Sequence, residues 1–83
     1  MRKFNGKSNL FGEIIEKYRL DKSMSRENFA QKLQLHGLNI DRSHVLRIEK
    51  GKVILKDFEL IIICEILDIK YADLKNELYR NKE

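Results

Sequence analysis

The sequence predicts an all-α domain, five helices folded into one compact bundle. Three observations carry that expectation. Apolar residues recur three and four positions apart along five segments. Side chains suited to helix caps, Ser25 and Asp41, stand just ahead of two of those segments. Among 83 residues there is no proline, and Gly37 and Gly51 fall where segments should end.

The elements follow in chain order. Residues 1–8 are polar and basic around Gly6 and read as a loose arm ahead of a domain over 9–80. Helix one is expected from Ser8 or Asn9 to Leu20, with Phe11, Ile15 and Tyr18 at helical spacing and Ile14 beside them. Gly12 lies inside it at a cost in helix propensity, which points to close packing there. Helix two begins at the Ser25 cap, with Met24 and Phe29 placed as a hydrophobic staple, Phe29, Ala30 and Leu33 inward, and Gly37 as its stop. Helix three runs from about Asp41 to Lys50. Helix four runs from Lys56 or Asp57 to Leu67. Its stretch Leu60 to Cys64 looks strand-like alone, but Leu60, Ile63 and Leu67 share a helical face and acids flank them. Helix five runs from Lys70 or Tyr71 to Tyr79, with Leu74 and Leu78 inward, and residues 81–83 are expected to fray.

Composition narrows the class. Hydrophobic residues at 42% and charged residues at 36% describe a folded chain, and its length allows one modest core. A single cysteine excludes an internal disulfide, and the N-terminus does not look like a signal, so a reducing cytoplasm is expected. No apolar run approaches membrane-spanning length. The net charge is +4, and it is unevenly placed. Residues 42–56 carry five cations against one acid, whereas residues 57–83 carry four cations against seven acids. A one-sided basic region suits a polyanionic partner; a solvated surface with chance asymmetry would read the same on charge alone.

The segment Asp41 to Lys52 is the most informative. It has an Asp cap, apolar Val45 and Ile48 for the core, and a glycine stop at Gly51. Arg42, Ser43, His44 and Arg47 are expected on the side away from the core. A merely soluble helix would carry more acids there. A helix that enters the major groove needs long or hydrogen-bonding side chains in this arrangement, because base edges are read by such donors and acceptors.

Taken together, these segments resemble the Cro/repressor helix-turn-helix family, also called the XRE family, over residues 10–75. The blocks that carry the resemblance are Phe11-Gly12-Glu13 with Ile15, Tyr18 and Arg19; Met24 to Leu33, similar to the family's Leu-Ser-Gln-Glu-Glu-Leu-Ala-x-x-Leu; Arg42 to Lys52, similar to Arg-Ser-Thr-Ile-Ser-Arg-Ile-Glu-Asn-Gly-Lys; and Leu60 through Ile69, ending at Leu74. The Ile-Glu-x-Gly-Lys element following the Ser-x-x-x-x-Ala element is the specific part. One departure stands out: the span from Leu33 to Ile48 is longer than the family's common pattern, with the excess in Gln34 to Ile40. Ile40 is expected to fill an apolar slot before the third helix and Leu38 to anchor the added loop. Arg26 and Ser23 replace the family's usual Gln and Gly.

The resemblance implies a lambda-repressor-like bundle that binds double-stranded DNA. It assigns base reading to Arg42, Ser43 and Arg47, with His44 able to touch base or phosphate, and phosphate contacts to Arg26, Lys50, Lys52 and Lys56. It pairs Arg19 with Glu49 as an ion pair holding the third helix to the first. Ile62 and Ile66 fall beside or outside the stripe of helix four, so a homodimer is expected through them with Tyr71, Leu78 and Tyr79. Its two reading helices would meet a near-palindromic site. Cys64 reads as a core plug. Cys64, His36 and His44 are too few for a metal site, no catalytic constellation is present, and no cofactor, membrane or small-molecule substrate is expected. The leading expectation is a transcriptional regulator, a repressor acting by operator occupancy. Against it stand a protein-interaction module, such as an autoregulating antitoxin with a toxin or anti-repressor as partner, and a non-specific nucleic-acid binder.

Overall fold

The computed structural model describes residues 6–80. Its helices are α1 (Gly12–Asp21), α2 (Arg26–Leu35), α3 (Arg42–Glu49), α4 (Asp57–Leu67) and α5 (Tyr71–Arg80), and no strand occurs among the described residues. The stretch Leu60 to Cys64 is therefore helical. Residues 1–5 of the expected arm and the expected fray at 81–83 lie outside the described residues. Within residues 6–8, the Ser8 N–H donates to the Gly51 carbonyl at 2.8 Å and the Lys7 ammonium lies 3.4 Å from the Glu13 carboxylate.

Helix one starts later than its sequence suggested. Ser8 and Asn9, the expected first residues of the helix, lie ahead of it, and Asn9 is buried and tied to a different helix. Its Nδ2 donates to the Ile48 carbonyl at 3.1 Å and to the Val53 carbonyl at 2.9 Å, while its Oδ1 accepts from Phe11 N–H. The helix then begins at Gly12 for want of space. A Cβ on Gly12 would stand 2.7 Å from the Glu49 carbonyl oxygen and closer still to that of Ile48. The end of α3 thus rests directly on the backbone of α1.

The long connection between α2 and α3 is anchored twice. The chain leaves α2 with Gly37 N–H on Gln34 O and Leu38 N–H on Leu33 O, which satisfies two terminal carbonyls. Leu38 and Ile40 are both buried, and the Gln34 side-chain amide donates to the Ile40 carbonyl at 3.0 Å. The added residues are therefore pegged to the bundle rather than looped away from it.

Ile15, Phe29, Leu33, Ile40, Val45, Ile48, Ile63 and Leu67 are fully buried and form the centre of the core. On α4 Glu59, Ile63 and Leu67 are buried and Leu60 is half-buried; the Glu59 carboxylate turns back to accept the Lys56 N–H at 3.0 Å. Ile62 and Ile66, expected to be exposed in a monomer, are not. Both are half-buried against the core, as is Cys64, whose thiol pKa is pushed up by burial. The apolar side chains that α4 does expose are Phe58 and Ile61, at 50% and 68%. Helix α5 contributes no fully buried residue. It packs on the core through half-buried Leu74, with Leu78 also half-buried, and through polar contacts: the Asp73 carboxylate beside the Tyr18 hydroxyl, and Arg80 on Glu13 at 3.2 Å.

Candidate nucleic-acid interface

Helix α3 carries the site. Its first turn is set by Asp41, whose carboxylate accepts the His44 N–H at 2.8 Å and occupies an otherwise orphaned donor. Val45, Ile48 and Glu49 face inward. The outward face presents Arg42, Ser43, Leu46, Arg47 and Lys50, all exposed. His44 lies on the flank and is half-buried, so it is not one of the fully projecting side chains its position suggested. The helix stops at Gly51, whose φ of 72° only a glycine adopts without strain; Lys52 N–H caps Arg47 O there at 2.9 Å.

The N-terminal half of α3 lies beside the N-terminus of α2. The two enclose an open groove of about 880 Å³ lined by Ser25, Arg26, Arg42, Ser43 and Leu46, with Glu16 and Leu20 of α1 along one edge. Ser25 accepts the Asn28 N–H at 3.0 Å and starts α2 at the rim. Lys52 is exposed just past α3. Lys56 is not among the groove residues; its ammonium stands 5.9 Å from the centre of the Phe58 ring.

A charged cluster supports the groove from beneath. The Glu49 side chain is fully buried and is held by two guanidinium groups. Arg19 donates from Nε to Glu49 Oε2 at 2.7 Å, from Nη2 to Oε1 at 3.3 Å, and from Nη1 to the Met24 carbonyl at 2.7 Å. Arg26 donates from Nε to Glu49 Oε1 at 2.8 Å and from Nη2 to Glu16 Oε2 at 3.1 Å. The hydrogen bond that Arg26 donates to Glu49 raises the Arg26 pKa above its ordinary value, against an opposing effect of burial. The cluster joins three helices: Arg19 and Glu16 on α1, Arg26 on α2, Glu49 on α3. A buried carboxylate is tolerable only when paired and hydrogen-bonded, and here every buried side-chain polar atom among the described residues has a partner.

Three features of this site were not read from the sequence. Arg26 braces Glu49, where only a phosphate contact had been expected of it. Asn9 clamps the end of α3 from outside the helix pair. Leu46 sits exposed in the middle of the outward face, at 39%, where a polar side chain would be more usual. The sequence did hold a signal for Leu46. It falls three residues after Ser43 and four after Arg42, on their face of the helix.

A short helix packed across the start of a second, with the second offering cations outward, defines a helix-turn-helix protein. A family model described as helix-turn-helix matches residues 15–74, and the chain belongs to that family, in its Cro/repressor type. It is a DNA-binding transcription regulator in the general sense of the family. No curated protein and no solved structure gives a significant match to the chain. None of the described helices is long and apolar enough to cross a membrane.

Proposed function

We propose that this regulator binds a specific operator, near-palindromic, as a homodimer, and represses by occupying it in the cytoplasm. The observation that carries the reading is the outward face of α3, where Arg42, Ser43 and Arg47 are exposed together beside the start of α2. In such a fold the second helix lies in the major groove with its N-terminal residues at base edges. Arg42, Ser43 and Arg47 are the base readers in this proposal, with His44 reaching base or phosphate from the flank. Lys50, Lys52 and Lys56 are assigned to phosphate, as is Arg26 from its braced position at the start of α2. A two-fold dimer would set two copies of α3 about 34 Å apart, one turn of duplex.

Selection of sites from a random duplex pool tests this. A preferred sequence with two related halves is expected. Arg47→Ala should then relax discrimination at one position by about 1–3 kcal/mol, whereas Lys52→Ala should weaken specific and random duplex alike and lower the salt slope by about one. Identical behaviour of the two variants on both duplexes would remove the base-reading assignment.

The exposed pair Phe58 and Ile61 favours a second reading, in which α4 meets a different protein, a toxin or an anti-repressor, and DNA binding is autoregulatory. A protein that is monomeric at the concentrations where it binds its site would support that reading over the homodimer.

A further inference from the structure

The proposed reading of DNA by α3 leaves one residue of its face without a role, and it is the apolar one. Arg42, Ser43, Arg47 and Lys50 can all hydrogen-bond to base or phosphate, but Leu46 cannot. Leu46 does not belong to the buried core or to the half-buried residues that pack on it. It lines the groove with Arg42, Ser43 and Arg26, one helical turn beyond the first two on the same face. An isolated exposed leucine is ordinary on a protein surface. At the centre of a face that enters the major groove it is different, because contact there would cover base edges.

The edges of the four base pairs in that groove offer acceptors, amino donors and one apolar group, the C5-methyl of thymine. A leucine laid on N7, O6 or an amino group would strip water from it and return no hydrogen bond, which is unfavourable. Laid on a methyl group it buries apolar surface on both sides. On this basis we infer that Leu46 is a specificity-determining residue that reads the C5-methyl of a thymine in each half-site, between bases contacted by Ser43 and Arg47. Arg42 and Arg26 line the groove beside it, and the phosphate contacts proposed for Arg26, Lys50 and Lys52 hold the duplex in register, so the methyl contact selects rather than anchors. The recognised chemistry is the methyl group itself, and a 5-methylcytosine at that place would present the same surface.

The inference rests on the operator-binding proposal, and the experiment separates the two. Sites are first selected from random duplex with the wild-type protein. Each thymine of the preferred site is then replaced by deoxyuridine, which removes only the methyl group, and Kd is measured for wild type and for Leu46→Ala. Alanine is a better helix former than leucine and Leu46 is outside the core, so the variant keeps its fold, checked by an unchanged thermal melt. One thymine per half-site should show a loss of about fourfold with wild type on losing its methyl, the size expected for burial of one such group. Leu46→Ala should lose a similar factor on the thymine site and be indifferent to deoxyuridine at that position alone. A site with no methyl-sensitive thymine, or methyl sensitivity that persists in Leu46→Ala, overturns the inference and leaves operator binding standing. A protein that selects no sequence overturns both.

Discussion

Helices α3 and α4 follow one another in the chain and bury inward stripes of the same kind, yet they turn opposite chemistries outward. Val45 and Ile48 of α3 and Ile63 and Leu67 of α4 meet in one core. Outward, α3 offers Arg42, Ser43, Arg47 and Lys50, while α4 offers Phe58, Ile61 and Glu65. The inward stripe is dictated by the fold and would look alike in many bundles. The outward face is under no such demand and is free to differ: cationic and polar on one helix, partly apolar on the other. Each helix also buries one glutamate, Glu49 and Glu59. Glu59 serves its own helix by closing the first turn, whereas Glu49 ties α3 to α1 and α2.

The sharpest way to break this contrast is at Glu49. Glu49→Ala leaves Arg19 and Arg26 without their shared carboxylate and should cost about 3–5 kcal/mol in urea denaturation, a large share of what so small a domain has. A loss below about 1 kcal/mol would mean that the cluster does not hold the reading helix. The next effect separates the two faces of α4. Ile63→Ala empties core and should cost about 2–5 kcal/mol, while Ile61→Glu should leave the stability of the chain within about 0.5 kcal/mol and, on the homodimer reading with this face as the interface, yield monomer in sedimentation. A dimer that survives Ile61→Glu would place the interface elsewhere, with Tyr71 and Tyr79 of α5 the remaining exposed aromatics.

The smallest effect concerns pH. The hydrogen bond from Arg80, and after it Lys7, holds the Glu13 carboxyl below the usual range. A group whose pKa is lowered by folding contributes stability that is present above its unfolded pKa and fades as pH falls through the lowered value. Because Glu13 is 59% exposed, screening keeps that contribution small. Hydrogen exchange should show α5 opening more readily on acidification below the ordinary carboxylate range, before the core of α1 to α4 responds. Uniform loss of protection across all five helices would deny Glu13 and Arg80 that role.

The parts of this molecule legible in its sequence are those decided within one turn of chain. Ser25 and Asp41 cap the helices they precede, Gly37 and Gly51 follow their ends, and Val45 and Ile48 are buried from a helix whose other side is polar. What could not be read depends on neighbours distant along the chain. Asn9 looked like the start of α1 because its true partners, the carbonyls of Ile48 and Val53, are supplied by the end of α3 and the segment after it. Arg26 looked like a phosphate contact alone because nothing local shows that Glu49 is within reach. Ile62 and Ile66 looked surplus because a helical wheel cannot say how wide an arc the neighbouring elements cover. The placement of α4 turns Glu59 inward and leaves Ile61 as the uncovered isoleucine.

The double anchoring of the segment between α2 and α3 carries an engineering consequence. Leu38 and Ile40 are both sunk into the bundle while Asn39 between them is exposed. Two buried side chains thus flank Asn39, the second of them directly ahead of the Asp41 cap. A reporter loop or affinity epitope spliced at that one position should therefore leave the pitch of the following helix untouched, which makes it the natural port for labelling this protein without blinding it.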